Sequence, residues 1–161
     1  MAGTTTYTYE KLSNGDSKVT EYSPDNDQKI TYTNKLGQNY KSSVKGFADN
    51  SYVSQEVQFD VLGRKIKESE PYLEGTSASK WNVIDYDDYS RPIKITQYTG
   101  KITTSSYSGR TVTATETNAN NRFKTQVFDA IGNVTSTTDK GGTIEFTYNA
   151  AGENIESKYD K

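Results

Sequence analysis

Neither cysteine nor histidine occurs anywhere in the 161 residues. Disulfides, thiol chemistry, zinc sites of the usual kind, imidazole acid–base catalysis and Ser-His-Asp triads are thereby excluded. A charge excess of either sign is also missing. The 19 Lys and Arg stand against 21 Asp and Glu, a net charge of -2. No basic field exists to hold nucleic acid or an anionic membrane. No apolar run approaches the roughly 20 residues of a membrane span, and Met1-Ala2-Gly3-Thr4 reads as lacking a signal-peptide core. Without His or Cys, paired carboxylates remain the one route to hydrolytic chemistry, and no acidic pair stands out. No enzyme activity, cofactor, metal, nucleic acid or membrane insertion is expected.

Leucine and methionine, the good helix formers, are nearly absent, at four and one residues. Leu, Ile, Val and Phe together make 27 of 161 residues, about 17%, a level that raises the question of disorder. Against it stand the near-zero net charge, 13 Tyr and 22 Thr, which suit a pleated, half-wet surface. The composition predicts a folded all-β chain in a single repeat domain over 1–161. Period-2 alternation supports this at Thr5, Tyr7, Tyr9, at Ile93, Ile95, Gln97, at Ile144, Phe146, Tyr148 and at Ile155, Ser157, Tyr159. No capped helical period is found, so helix content is expected to be close to nil.

The strand-ending aromatics Tyr9, Tyr32, Phe59, Tyr86, Tyr107, Phe128 and Tyr148 are separated by 23, 27, 27, 21, 21 and 20 residues. Five open a common phrase: an aromatic, an acidic or amide residue, two free positions, Gly or Ser, then a polar residue. The copies are Tyr9-Glu10-Lys11-Leu12-Ser13-Asn14, Phe59-Asp60-Val61-Leu62-Gly63-Arg64, Tyr86-Asp87-Asp88-Tyr89-Ser90-Arg91, Phe128-Asp129-Ala130-Ile131-Gly132-Asn133 and Tyr148-Asn149-Ala150-Ala151-Gly152-Glu153. Tyr32 has its glycine one place late, at Gly37, and Tyr107 has a shortened Ser108-Gly109-Arg110.

The phrase has a mechanical meaning. Asp or Asn at the head of a turn can accept bonds from backbone N–H groups ahead of it. A Gly three places on supplies the positive φ that closes a hairpin with a bulge. Further turn signals lie at Gly15-Asp16, Thr99-Gly100, Asn118-Ala119-Asn120-Asn121 and Asp139-Lys140-Gly141-Gly142. Each unit of about 21 residues then holds two strands and two turns, and seven units give about a dozen antiparallel strands in one meander. The long intervals predict two larger loops, most plainly over Glu68–Ser77. A single sheet has little core, so either a curled second layer or a self-association interface is expected.

These residues carry a resemblance. The phrase at Phe59-Asp60-Val61-Leu62-Gly63-Arg64 and its copies, above all Gly142-Thr143-Ile144-Glu145-Phe146-Thr147-Tyr148-Asn149-Ala150-Ala151-Gly152, resembles the YD repeat of the Rhs family. That family spans Rhs polymorphic toxins, the B and C components of Tc insecticidal toxins, wall-associated proteins and teneurins. The resemblance runs from about Tyr9 to Lys161. It implies repeats that spiral into a hollow β shell around a toxic domain, so this chain would form a curved sheet or partial barrel. Tyr9, Phe59, Asp60, Gly63, Arg64, Tyr86, Asp87, Arg91, Phe128, Asp129, Gly132, Tyr148, Asn149 and Gly152 would be architectural. It further implies a secreted or cell-surface bacterial setting. Seven repeats are far fewer than a full shell uses, and the family's self-cleaving Asp-Pro motif is absent, so the chain reads as a truncated piece of a longer array or as a short relative whose open edges need a partner.

Other features have plainer readings. Asp85, Asp87 and Asp88 could hold Ca²⁺ but coincide with a repeat phrase, and Asp25-Asn26-Asp27 lacks the Gly and distant Glu of an EF-hand loop. Arg64, Arg91 and Arg110 could bind an anion in a row, yet each lies near its own repeat's acid and can brace the hairpin. The tyrosines and Trp81 could form a sugar platform, although their period fits cross-strand packing better. Asn133-Val134-Thr135 is a glycosylation sequon without consequence in a bacterial protein. The leading expectation is a non-catalytic shell segment whose partners are further repeats, an enclosed cargo, or another copy through edge strands. A carbohydrate-binding or adhesion module is the alternative.

Overall fold

The computed structural model of the chain describes residues 3–25, 27–48, 50–117 and 122–161. Among them there is no helix, and fifteen strands follow one another. The chain divides into two compact units, Met1–Val83 and Ile84–Lys161.

The first unit holds β1 (Thr6–Lys11), β2 (Ser17–Tyr22), β3 (Gln28–Thr33), β4 (Asn39–Lys45), β5 (Tyr52–Phe59), β6 (Lys65–Ser69), β7 (Tyr72–Leu73) and the start of β8 (Trp81–Tyr86). From β1 to β6 each strand pairs antiparallel with the one before it. The segment expected as a long loop is partly strand. Glu68 and Ser69 finish β6, and Tyr72–Leu73 rejoin the same side of β5 as β7, with Ser54 opposite Tyr72. Glu70 and Pro71 interrupt the ladder between them, as expected where a proline offers no N–H. The chain then returns to lay β8 on β6, with Ser69 opposite Trp81.

The second unit holds the rest of β8, then β9 (Pro92–Thr96), β10 (Ile102–Ser108), β11 (Thr111–Glu116), β12 (Arg122–Phe128), β13 (Val134–Asp139), β14 (Gly142–Tyr148) and β15 (Asn154–Asp160). These strands are hydrogen-bonded in chain order, antiparallel from β9 to β15. The strand pattern is thus the all-β antiparallel meander that alternation and turn spacing predict. The turn signal at Asn118–Asn121 lies outside the described residues, as does Asn26.

No apolar side chain is buried among the described residues. The buried positions are Thr20, Ser43, Ser54 and Ser69. Three of them share one line across the first unit, where the register runs Thr20, Ile30, Ser43, Ser54, Tyr72 from β2 to β7. The Ser43 and Ser54 hydroxyls meet at 2.7 Å, and the Ser69 hydroxyl accepts the backbone N–H of Glu56 at 2.9 Å. Tyr52 donates its hydroxyl to Gln28, and Tyr72 to Glu56. Desolvation, then the Glu56 carboxylate, pushes the Tyr72 phenol well above its usual range.

The second unit has its own hydroxyl line: Ser106, Thr113, Thr125, Thr138 and Thr143 stand opposite one another from β10 to β14. Thr113 bonds Thr125 at 3.0 Å, and Thr138 bonds Thr143 at 2.9 Å. Cross-strand hydroxyl pairs of this kind take the place that packed aliphatics hold in a two-layer sheet protein.

The buried serine pair is directly testable. Ser54→Ala leaves the Ser43 hydroxyl buried without its partner and is expected to lower stability by about 1–3 kcal/mol. The double variant S43A/S54A removes both hydroxyls and should cost less than the two single changes summed, as read by urea denaturation.

Candidate functional site

The repeat phrase forms a recurring five-residue turn. At its head the side chain of Asp or Asn points forward along the chain. Asp60 Oδ1 accepts the backbone N–H groups of Leu62 at 3.0 Å and Arg64 at 2.9 Å. The Asp60 N–H in turn donates to the Arg64 carbonyl, and the Gly63 N–H to the Asp60 carbonyl. Gly63 closes the turn at φ 79°, the left-handed conformation that a glycine adopts without steric cost. The same bonds recur at Asp87 to Tyr89 and Arg91, and at Asp129 to Ile131 and Asn133. They recur again at Asn149 to Ala151 and Glu153. Ser90 holds φ 62° where the other copies have glycine.

The fifth residue of each turn is matched to the first. Behind an aspartate stands a donor: Arg64 Nε at 2.7 Å from Asp60, Arg91 Nε at 2.7 Å from Asp87, Asn133 Nδ2 at 2.9 Å from Asp129. Behind an asparagine stands an acceptor. Asn149 Nδ2 donates to Glu153 at 2.8 Å, and Asn34 Nδ2 to Gln38 at 2.8 Å. Desolvation pushes the carboxyls of Asp60, Asp87 and Asp129 up. The hydrogen bonds from the fifth residue and the intervening N–H groups outweigh it and hold all three below the usual carboxylate range.

Phe59, Tyr86, Phe128 and Tyr148 each end a strand directly before the turn head. In three of these hairpins the register shifts beside that aromatic, between Gln58 and Phe59, Val127 and Phe128, and Thr147 and Tyr148. Gly132 and Gly152 occupy the glycine position with positive φ. Tyr9 is placed differently. It lies inside β1 opposite Val19, and the turn after β1 is Leu12 to Asp16, closed by Gly15. The unit at Tyr32 turns at Asn34, whose Oδ1 accepts from Leu36 and Gln38. Counting from the aromatic hid it; counting back from Gly37 finds it. Gln97 to Lys101 makes one more turn of this backbone form without an Asx head.

Arg91 reaches beyond its own turn. Its guanidinium carbon lies 5.1 Å from the Tyr89 ring centre and 4.3 Å from that of Tyr107, whose hydroxyl donates to the Pro92 carbonyl at 2.8 Å. Arg110 instead sits at an exposed two-residue turn, and its carbonyl accepts from Phe128 N–H. Asp85 lies 4.0 Å from Lys94. Tyr148 and Tyr159 donate their hydroxyls to the carbonyls of Val134 and Gly141. Trp81 Nε1 donates to Ala78. Among the described residues no three acidic side chains gather as metal ligands.

Comparison with solved structures gives the same fold. The crystal structure of TcdB2-TccC3 without hypervariable C-terminal region matches with a TM-score of 0.71 at 12% identity, over 89% of this chain and 10% of that one. A TcdB2-TccC3-Cdc42 crystal structure gives 0.70 at 13% identity, over 91% and 10%. A Photorhabdus luminescens Tc holotoxin pore carrying a TccC3 point mutation gives 0.70 at 12% identity, over 89% and 10%. The chain spans about a tenth of the length of these Tc toxin chains, whose repeat fold is the one the YD-type phrases implied. No protein-family model and no curated protein matches it.

Two outcomes follow. Asp60→Asn turns an amide nitrogen toward the Arg64 guanidinium, which cannot accept a hydrogen bond, and lowers the thermal midpoint. Adding Arg64→Glu recreates the Asn149–Glu153 pair and restores it. The stabilising bonds to Asp60, Asp87 and Asp129 are fully present above the unfolded carboxylate pKa and are lost as pH falls through the lower folded values. The urea midpoint should therefore begin to drop below about pH 4. The triple variant D60N/D87N/D129N should show a flatter acid limb.

Proposed function

We propose that the chain is a non-catalytic structural module, a stretch of YD-repeat shell wall that encloses or scaffolds a toxin or effector polypeptide. Its setting would be a larger bacterial protein, secreted or displayed at the cell surface. The observation that carries this reading is the repeated Asx-headed turn joining strands hydrogen-bonded in chain order, in a fold shared with TcdB2-TccC3 chains. A wall of this type works by continuity. Antiparallel neighbours satisfy each other's backbone groups, and a barrier forms without a thick core. The repeat-phrase residues from Phe59 to Gly152 are assigned an architectural role within one array over 1–161. We assign the chain no reaction of its own, because Asp60, Asp87 and Asp129 are committed to their turns. Its partners would be neighbouring repeats and the cargo polypeptide. The phenols of Tyr107, Tyr148 and Tyr159 are already bonded to backbone carbonyls, which weighs against a sugar platform.

The intact mass of the gene product in its source cells tests the reading. A product many times 18.0 kDa that carries further copies of the phrase is expected. A product of 18.0 kDa would remove the wall and leave a stand-alone module.

A further inference from the structure

With no cysteine, one methionine and one tryptophan against 13 tyrosines, phenols outnumber every other oxidisable side chain. Thiols and thioethers, the usual first targets of an oxidant, are almost missing. A phenol that gives up an electron and a proton becomes a radical, and two such radicals couple where their rings already meet. The β3–β4 hairpin, inside the sheet, brings two phenol rings together.

The register of that hairpin shifts by one residue. Tyr32 pairs with Lys41 and Thr33 with Asn39, so Tyr40 is the extra residue of a bulge. The ring centres of Tyr32 and Tyr40 lie 6.1 Å apart with their planes inclined at 48°. Aromatic rings in contact have centres roughly 4.5–7 Å apart. Both side chains are half-buried, held by neighbours yet reachable from solvent. Lys41 Nζ, bonded to Glu74 at 2.9 Å, stands 5.4 Å from the Tyr32 ring centre and restrains that ring. The Asp16 carboxylate lies against the Tyr40 phenol. Burial, then this charge, pushes the phenol above its usual range, and the carboxylate is placed to accept its proton. The corresponding positions of two other bulged hairpins hold Gln58 and Ile66, and Val127 and Thr135, which cannot couple.

We propose that Tyr32 and Tyr40 form an oxidative cross-linking site, joined ring to ring as a dityrosine when a peroxidase and hydrogen peroxide supply the oxidant. Each phenol loses one electron and one proton, the Tyr40 proton to Asp16 and the Tyr32 proton to water. The two radicals form a carbon–carbon bond between ring positions ortho to the hydroxyls. The hydrogen on each of those carbons then moves to its phenol oxygen. The peroxide takes up the two electrons and two protons and leaves as two waters. The new bond closes a covalent ring around the Asn34 turn, so β3 and β4 can no longer slip in register at their bulge. The inference concerns the purified chain and does not rest on the wall reading.

The test oxidises the dilute 161-residue chain with a peroxidase and hydrogen peroxide and isolates the product that stays at the single 18.0 kDa mass. Trypsin cuts after Lys29, Lys35 and Lys41, so the uncoupled chain yields residues 30–35 and 36–41 as separate peptides. Coupling joins them into one species, two hydrogens lighter than their sum and carrying dityrosine fluorescence. Tyr40→Phe and Tyr32→Phe should each abolish that species, whereas Tyr52→Phe should keep it. Circular dichroism checks that each variant retains its sheet, and if Y40F loses it, Y32F decides alone. The proposal is overturned by peptides 30–35 and 36–41 that stay separate in the oxidised single-mass chain. A joined species that survives in Y40F or Y32F, or an intramolecular link that forms first at another tyrosine pair, overturns it equally.

Discussion

Five of the strand reversals depend on one oxygen atom at the head of the turn. Reversing a strand within three residues leaves backbone N–H groups pointing into the loop, where the opposite strand cannot reach them. The Oδ1 of Asn34, Asp60, Asp87, Asp129 or Asn149 takes two of these each time, at 2.9 to 3.0 Å. The second side-chain atom then meets the fifth residue. A carboxylate oxygen needs a donor there, and an amide nitrogen needs an acceptor. The chain supplies Arg, Arg and Asn after its aspartates and Gln and Glu after its asparagines. The repeat is therefore conserved within this chain as a hydrogen-bonding relation between two positions rather than as fixed residue types.

With no apolar side chain fully buried among the described residues, cohesion must come from elsewhere. Here it lies in the continuous backbone ladder and in side chains that bond across strands. Burying a serine hydroxyl in an apolar site would be costly, but Ser43 and Ser54 satisfy each other. The tyrosines serve the same end, since the hydroxyls of Tyr72, Tyr107 and Tyr148 each reach a carboxylate or carbonyl on another strand. Arg91 shows the combination at one site, with a carboxylate, two rings and a turn held by a single side chain.

Much of this was legible in the sequence, and what was not has physical causes. Alternation and turn spacing gave the strands and the antiparallel meander, and the phrases at Asp60, Asp87, Asp129 and Asn149 gave the turns in place. The phrase read at Tyr9 was out of step because Leu12 heads that turn and has no side-chain acceptor to reveal it. There Asn14 accepts from Asp16 instead. Asn34 was passed over because Thr33, not an aromatic, precedes it. The stretch after Glu68 read as loop since Pro71 and Gly75 are loop signals. Tyr72 and Leu73 are nevertheless held to β5, a long-range pairing that local composition does not encode. The buried serine line was equally hidden. Which hydroxyls face one another depends on register, and the register passes through bulges that shift it by one residue.

The same physics accounts for a shared fold at 12% identity. In a two-layer protein the core residues must fit one another in three dimensions, and each substitution constrains its neighbours. A meander whose described apolar side chains are at most half-buried lacks most of those constraints. Strand positions need only remain compatible with a pleated surface, and Thr, Tyr, Ser, Ile, Val, Lys and Gln all serve in this chain. What cannot drift freely is the spacing of the turns, the positive-φ residue that closes each one, and the donor–acceptor match between its first and fifth positions. Those positions are few and widely separated. They fix where β3, β5, β8, β12 and β14 reverse.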